Sequence, residues 1–303
     1  MTRKDIHHGF IDSIDGQLEY FAAYPNQCSE GVQSDNVVTL FEQTPLKARP
    51  ILFIHGILCS GQLFQYHILP AIAAAGHPAY AMSLRGHGGS HGNLVGDTLS
   101  NYVQDLKACI DWLFNRYQQR PVVVGYSMGG LVAQHLAAQC HTQGQIMPMH
   151  GLCLLASVPP TGFHHLNHDI LIKQPLFSFM LGQAMWVPQS IPFSPYFKRM
   201  MVNALFHSDP EPYQIEALMT DMGCEDLRLF TDASGVSTTF RSELPILVVG
   251  AQKDKLVSAE LIDKTAHAYG VEAHHLPELG HAVPVEKNWW LFVEKLLHWV
   301  NTQ

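Results

Sequence analysis

The chain has 303 residues, of which 47% are hydrophobic and 15% are charged, and its formal net charge is −8 with histidine neutral. These values are typical of a globular protein with a large hydrophobic core and exclude an intrinsically disordered chain. No run of Lys and Arg extends beyond a pair, so the sequence lacks the basic footprint of a nucleic-acid-binding protein.

Cysteine usage and the N-terminus bear on the cellular compartment. None of the cysteines forms a Cys-x-x-Cys pair or lies at the spacing of zinc ligands. Cys109, Cys140 and Cys153 lie in apolar stretches, so we expect buried free thiols and a reducing compartment. The first residues, MTRKDIHHGF, contain no apolar signal segment, and no apolar run reaches the roughly 18 residues of a membrane span. We therefore expect a cytoplasmic protein without a membrane span.

The N-terminal region predicts a β-hairpin followed by a loop. Residues 10–24 read FIDSIDGQLEYFAAY, in which Asp15-Gly16 is a two-residue turn signal between alternating segments. Residues 25–48 are polar and irregular and contain Pro25, Gly31 and Pro45, so we expect a loop there.

From residue 50 onward, short apolar strands alternate with amphipathic helices. The predicted strands cover residues 51–55, 79–84, 122–124, 152–156, 246–249 and 272–276. The predicted helices cover residues 64–75, 100–117, 131–140 and 258–269, and a last helix is lined by Trp289, Phe292, Val293, Leu296 and Val300. Ser100 is the expected cap of the second helix, and Gly270 is the expected end of the fourth. This alternation predicts an α/β fold with a mostly parallel sheet covered by helices on both faces.

Residues 159–242 interrupt the alternation with short helical pieces rich in proline, aromatic residues and methionine. We expect a mostly helical cap insertion there, with residues 1–158 and 243–303 forming the core domain. The methionines either line an apolar pocket or form the small core of the cap. They are Met180, Met185, Met200, Met201, Met219 and Met222. His164, His165 and His168 lack carboxylate or cysteine partners at suitable spacing, so we expect no metal site and no cofactor.

Two serines lie in a G-x-S-x-G pattern, and their contexts separate them. Ser127, in GYSMGG, follows the strand VVV and precedes the helical stretch LVAQHLAAQC. A tight strand-to-helix turn holds a nucleophilic hydroxyl exposed in one orientation, and small neighbours relieve the crowding. Ser90 precedes NLVGDTLSN, which offers no immediate helix, so we expect it to be a loop residue. A helix that begins after Ser127 also aims the N–H group of Met128 at the site, where it could donate to an oxyanion.

A serine hydroxyl needs a base, and sites in parallel sheets gather at the carboxyl ends of strands. Asp254 follows the strand segment ILVVGAQK, and His281, in PELGHAVPVE, follows the last predicted strand. Asp221, Asp226 and Asp232 compete less well, because no strand precedes them. The resulting chain order of Ser127, Asp254 and His281 is that of one serine-hydrolase class and differs from the others.

These segments together resemble the α/β-hydrolase superfamily, in its serine carboxylesterase and monoacylglycerol-lipase-like branch, over essentially the full chain. GYSMGG, His55-Gly56, GAQKDKLV and GHAVPVE are similar to the family's motifs, in the same order. The resemblance implies that Ile57, after His55-Gly56, donates the second oxyanion amide. The loop SLRGHGGS is similar to the family's D-x-R-G-x-G-x-S loop but has Ser83 where Asp is usual. We expect this difference to affect loop structure rather than chemistry.

The resemblance implies a serine hydrolase that cleaves a small-molecule ester or acyl substrate through an acyl-enzyme intermediate. Ser127 would attack, His281 would transfer the proton, and Asp254 would orient His281 and stabilise its charged form. Dehalogenases and epoxide hydrolases of this fold use Asp as the nucleophile, so Ser127 argues against both. An acyltransferase, a C–C bond hydrolase with the same triad, and a catalytically silent ligand-binding protein stay open as alternatives. The natural substrate and the oligomeric state are also left open.

Overall fold

The computed structural model describes residues 6–25, 48–92, 96–163, 170–171, 173–179, 195–219 and 235–303. Its centre is an 8-stranded sheet in the order β1-β2-β4-β3-β5-β6-β7-β8. The strands are β1 (His7–Asp12), β2 (Gln17–Ala23), β3 (Ile51–Ile54), β4 (Ala79–Met82), β5 (Val122–Tyr126), β6 (Gly151–Leu155), β7 (Ile246–Ala251) and β8 (Ala273–Leu276).

Strand direction follows the connections along the chain. The predicted hairpin is present as β1 and β2, whose turn is closed by a hydrogen bond of 2.7 Å from Ser13 N to Gly16 O. Strand β2 also pairs antiparallel with β4, whereas the pairs from β4 through β8 are parallel. The predicted α/β fold with a mostly parallel sheet is confirmed. Every residue of β3, β5, β6 and β7 is buried, as expected for strands covered on both faces.

The described helices cover the sheet and extend into the predicted insertion. They are α1 (Ile68–Ala74), α2 (Leu99–Tyr117), α3 (Met128–Thr142), α4 (Pro195–Leu205), α5 (Pro212–Met219), α6 (Ala259–Tyr269) and α7 (Trp290–Asn301). Helix α6 begins after Ser258 and ends at Gly270, whose φ of 69° is the left-handed conformation that glycine adopts easily.

Two predicted helix boundaries are wrong. The helix predicted over residues 64–75 is split into a 3₁₀ turn at Gly61–Phe64 and helix α1, because Ser60 Oγ accepts a hydrogen bond from Gln62 N and starts the turn early. Helix α2 is capped by Thr98 rather than Ser100. The side chain of Asn101 reaches back and accepts a hydrogen bond of 3.0 Å from Thr98 N, as in a capping box.

Parts of the predicted cap insertion lie within the described residues. Between residues 159 and 242 these include α4, α5 and a 3₁₀ turn at Thr239–Ser242. Met201 is buried, and Met200 and Met219 pack partly buried against the hydrophobic core. The other predictions for this segment fall outside the described residues, and so do Cys28 and Cys224. They concern Met180, Met185, Met222, His164, His165, His168, Asp221, Asp226 and Asp232. The division into a core domain and a cap therefore stays a prediction.

The described cysteines Cys59, Cys109, Cys140 and Cys153 are buried thiols outside any disulfide bond, as expected for Cys109, Cys140 and Cys153. Burial raises the pKa of the Cys109 and Cys153 thiols, which therefore stay protonated and behave as small apolar side chains. Within the described ranges, no helix combines the length and apolar character needed to cross a lipid bilayer.

Candidate active site

The serine elbow (residues 125–130) is the turn between β5 and α3. Ser127 has φ 53° and ψ −117°, a conformation that a residue with a side chain adopts only under strain. Hydrogen bonds on both sides hold it: Ser127 N donates to Leu155 O at 3.0 Å, and Ser127 O accepts from Val158 N at 3.1 Å. The turn is therefore anchored to the end of β6 and to the segment that follows it.

The glycines of the serine elbow are required by close backbone contact. A Cβ atom added at Gly129 would lie 2.5 Å from the carbonyl oxygens of both Ile54 and His55. One added at Gly125 would meet the backbone of Gly129 and Gly130. Because these neighbours are backbone atoms, no side-chain rotation could make room, and packing requires glycine at both positions.

The side chain of Gln134, in helix α3, binds the serine elbow through hydrogen bonds. Its Nε2 group lies 3.0 Å from Val158 O and 3.1 Å from Gly130 O, both of which accept hydrogen bonds from it. Its Oε1 atom accepts a hydrogen bond of 2.8 Å from the Tyr269 hydroxyl of α6. The side chain is fully buried, and its polar atoms are satisfied within the protein.

The structure brings the three residues predicted from the sequence into one hydrogen-bonded chain. His281 Nε2 lies 3.1 Å from Ser127 Oγ, and His281 Nδ1 lies 2.7 Å from Asp254 Oδ2. Since a carboxylate only accepts, Nδ1 carries the proton of the neutral imidazole, and Nε2 is left to accept the serine proton. This is the geometry that activation of a serine hydroxyl requires.

Asp254 is oriented by its own loop. The residue follows β7, and its Oδ1 atom accepts hydrogen bonds from Leu256 N at 2.7 Å and Val257 N at 2.9 Å. These bonds leave Oδ2 facing His281. The carboxylate is therefore aligned before any substrate binds.

The histidine loop (residues 278–286) carries His281 and is held by groups that are distant in sequence. Tyr126, next to the serine, donates its hydroxyl proton to the His281 carbonyl oxygen at 2.9 Å. Burial raises the pKa of Tyr126 well above its ordinary value, so the phenol stays a neutral donor. Ala282 N donates to Leu205 O at the end of α4, at 2.9 Å. Reasoning from the sequence missed Tyr126, although its place beside Ser127 was a usable signal.

The two predicted oxyanion donors, Ile57 and Met128, lie in the segments that flank the serine. A Cβ atom added at Gly56 would lie 3.4 Å from Ser127 Oγ, so the chain passes beside the hydroxyl just before Ile57. Met128 is the first residue of α3, and the N–H groups of a helix's first turn have no partner within the helix. Both backbone segments lie next to Ser127, and the role of Ile57 and Met128 as oxyanion donors stays a prediction.

His55 holds the loop that contains Ile57 and was not singled out for this role. Leu84 N donates to His55 Nε2 at 3.0 Å, so Nδ1 carries the proton and donates to Gly56 O at 2.7 Å. Burial, reinforced by His87, lowers the pKa of His55 well below its ordinary value. The imidazole therefore stays neutral and acts as a fixed support for the loop.

The second G-x-S-x-G serine, Ser90, has a structural role. Its hydroxyl donates to Ser83 O at 2.7 Å and accepts from Glu19 N at 2.8 Å, in a loop, as expected. Ser83 donates to the buried carboxylate of Glu19 at 2.7 Å, and Gly89 N donates to the same oxygen at 3.0 Å. Glu19 of β2 thus supplies this loop with the carboxylate that it lacks because Ser83 replaces Asp.

Comparison with known proteins places the chain among hydrolases. The family model for serine aminopeptidase, S33, matches residues 47–288. The AB hydrolase superfamily protein YisY of Bacillus subtilis (strain 168) is 28% identical over 102 residues, which are 34% of this chain and 37% of that protein. This chain thus aligns with little more than a third of that curated relative's length.

Solved structures share the fold over nearly the whole chain. A thermophilic esterase from Thermogutta terrifontis has a TM-score of 0.65 and 16% identity, covering 97% of this chain and 99% of that one. An esterase (EaEST) from Exiguobacterium antarcticum has a TM-score of 0.67 and 14% identity, covering 97% and 100%. At these identities the likeness establishes the fold and leaves the reaction to be argued from the site.

Proposed function

The chain belongs to the serine aminopeptidase, S33, family of α/β hydrolases, and we propose that it is a serine hydrolase that cleaves carboxylic ester bonds through Ser127, His281 and Asp254. The observation that carries the proposal is the continuous chain of hydrogen bonds from Asp254 through His281 to the strained Ser127. Removal of His281 or Asp254 would leave the Ser127 hydroxyl without this activation at neutral pH.

The reaction proceeds in two halves. As Ser127 Oγ forms a bond to the substrate carbonyl carbon, its proton passes to His281 Nε2, and the N–H groups of Ile57 and Met128 donate to the oxyanion. When the intermediate collapses, the ester C–O bond breaks and the departing alcohol takes the proton from His281. A water molecule then gives a proton to His281 and attacks the acyl carbon. The bond from Ser127 Oγ to the acyl carbon breaks, Ser127 Oγ takes the proton back from His281, and the carboxylic acid is released.

The buried carboxylates favour an ester over an aminopeptidase substrate, because their hydrogen bonds are already made within the protein. An aminopeptidase has to bind the substrate's free ammonium group, and a buried carboxylate facing the site would serve this purpose. In the part of the chain that the structure describes, the buried carboxylates are Glu19, Asp105, Asp254 and Glu286. Each is bound within the protein: to Ser83, Arg85, His281 and backbone N–H groups, respectively.

The substrate class is proposed to be a small ester with an apolar acyl group. We propose that residues 159–242 form a cap over the site, and that this cap sets the acyl length. A series of p-nitrophenyl esters of increasing acyl length should therefore give a distinct optimum of kcat/KM rather than a flat profile.

Replacement of the nucleophile tests the proposal directly. Ser127→Ala should abolish both p-nitrophenyl ester hydrolysis and covalent labelling by a fluorophosphonate probe, because no other group can form the acyl-enzyme. Ser90→Ala, at the second G-x-S-x-G serine, is the matched control and should retain labelling. Retention of either activity by Ser127→Ala would sink the proposal. Turnover of an aminoacyl p-nitroanilide in preference to the esters would replace the ester assignment with an aminopeptidase.

A further inference from the structure

Glu286 is a buried carboxylate, only 1% exposed, that takes no part in the proposed chemistry. It lies at the end of the histidine loop and accepts hydrogen bonds from backbone groups on two sides. Its Oε2 atom accepts from Gly280 N at 2.6 Å, and its Oε1 atom accepts from His207 N at 2.5 Å and from Ser208 N at 3.3 Å. A buried charge is stable only with such partners, so these bonds define its role.

The two sides that Glu286 joins are the residue before His281 and the segment after α4. A Cβ atom added at Gly280 would lie 2.7 Å from both His207 N and Leu205 O, so the two segments touch backbone to backbone. On the other side of His281, Ala282 N donates to Leu205 O at 2.9 Å. Both sequence neighbours of His281 are thus bound, directly or through Glu286, to residues 205–208.

The same part of the chain also contacts the rest of the site. Gln214 of α5 donates from Nε2 to Val285 O at 2.5 Å. Lys255, next to Asp254, donates from Nζ to Asn203 O of α4 at 2.6 Å. The segment from residue 203 to residue 214 is therefore bound both to the loop of the acid and to the loop of the base.

We propose that Glu286 is a positioning residue, whose carboxylate ties residues 207–208 to the histidine loop and so keeps the His281 imidazole between Ser127 and Asp254. The proposal rests on the function proposed above, because it assigns Glu286 to the same triad. Glu286 acts through the backbone on either side of the histidine and touches no reacting atom.

The chemistry of the acceptor explains why a carboxylate is needed. Both ends of Glu286 face N–H donors, and only a carboxylate accepts at both oxygens. In Glu286→Gln, one end becomes an NH₂ group that faces another donor, so either the Gly280 or the His207 side is released. The loop then gains freedom, and a displacement of about 1 Å at the base can lower the rate about 10²-fold.

The test compares Glu286→Gln with Glu278→Gln, a matched control in the same loop. Glu278 also contacts residue 207, accepting from the His207 ring at 2.9 Å, but its side chain is 63% exposed. Glu286→Gln should lower kcat for a p-nitrophenyl ester about 10- to 100-fold with KM within about 2-fold of wild type. Fluorophosphonate labelling should slow by the same factor, whereas Glu278→Gln should behave as wild type. A kcat within about 2-fold of wild type in Glu286→Gln, or a rise in KM alone, overturns the proposal.

A second readout does not depend on turnover. The proton in the 2.7 Å bond between His281 and Asp254 should give a far-downfield ¹H NMR resonance, absent in Asp254→Asn. Glu286→Gln should broaden or shift this resonance, and an unchanged resonance overturns the proposal. If the wild-type protein has the resonance but neither hydrolyses esters nor reacts with the probe, the proposed function fails while the spectrum still tests Glu286.

Glu286→Asp keeps both acceptors one methylene shorter, and should lie between wild type and Glu286→Gln in both readouts. If the amide variant does not fold, an Asp variant that matches wild type in both overturns the proposal.

Discussion

The serine elbow and the histidine loop meet at the candidate active site, but different kinds of contact hold them there. The serine elbow is held mainly by backbone contacts, since Gly125 packs against Gly129 and Gly130, and Gly129 packs against the carbonyl groups at the end of β3. The histidine loop is held by side-chain hydrogen bonds, above all those of Tyr126, which lies next to Ser127, and of Glu286 at the loop's own end. The nucleophile is therefore built as part of the sheet, whereas the base is positioned by separate hydrogen bonds that single substitutions can remove.

The largest effect is expected from a change in the serine elbow. Gly129→Ala should lower the free energy of unfolding by about 2–3 kcal/mol and remove most esterase activity, because the new methyl group collides with two carbonyl oxygens. Gly144→Ala is the control: it has φ 62° but open space around it, so about 1 kcal/mol of backbone strain is expected. Urea denaturation of both variants measures the difference. Equal stability of the two variants would contradict this prediction, because it would show that the backbone around residue 129 can move to accommodate a methyl group.

An intermediate effect is expected from Tyr126→Phe, which leaves the serine elbow in place but releases the His281 carbonyl. We expect kcat to fall about 10-fold and stability to fall by about 1–2 kcal/mol, since a buried acceptor loses its partner. Tyr269→Phe removes a comparable buried hydroxyl that contacts Gln134 instead. It should lose similar stability while keeping kcat within about 2-fold. Parallel thermal melts and ester assays separate the two, and equal kcat values would contradict a special role for Tyr126.

The smallest effect is expected from the titration of His55. Its pKa in the folded protein lies below the unfolded value of about 6.5, so the unfolded chain binds a proton first as the pH falls. The contribution of neutral His55 to the free energy of unfolding is therefore complete above about pH 6.5 and is lost as the pH falls below this value. His55→Asn should be less stable at pH 7.5 but should lose less of its Tm between pH 7.5 and 5. A wild-type Tm that declines no faster than that of the variant would contradict this role.

The same comparison explains how far the sequence predicts the structure. The serine elbow is a local pattern, so Ser127 and the strand and helix around it follow from neighbouring residues. Asp254 and His281 follow from their positions after strands, because the carboxyl ends of parallel strands share one edge of the sheet. The supports of the histidine loop could not be predicted in this way, since Glu286 bonds to His207 and Tyr126 to His281 across long stretches of chain.

The wrong helix cap and the loop around Ser83 show the same limit of prediction from the sequence. The cap of α2 is Thr98 because the side chain of Asn101 satisfies its backbone, a detail that hydrophobic periodicity does not encode. Ser83 stands where the related loop has Asp, and Glu19 of β2 supplies the missing carboxylate. In both cases, a polar side chain selects a partner that the pattern of apolar residues leaves undefined.

The attachment of residues 203–214 to both triad loops has a consequence for protein engineering. A chimera that exchanges the insertion for that of a related hydrolase would also replace the groups that meet Lys255, Ala282, Val285 and Glu286. Grafts that begin after residue 214, or that carry residues 203–214 along unchanged, should therefore retain catalysis more often than grafts joined within this stretch.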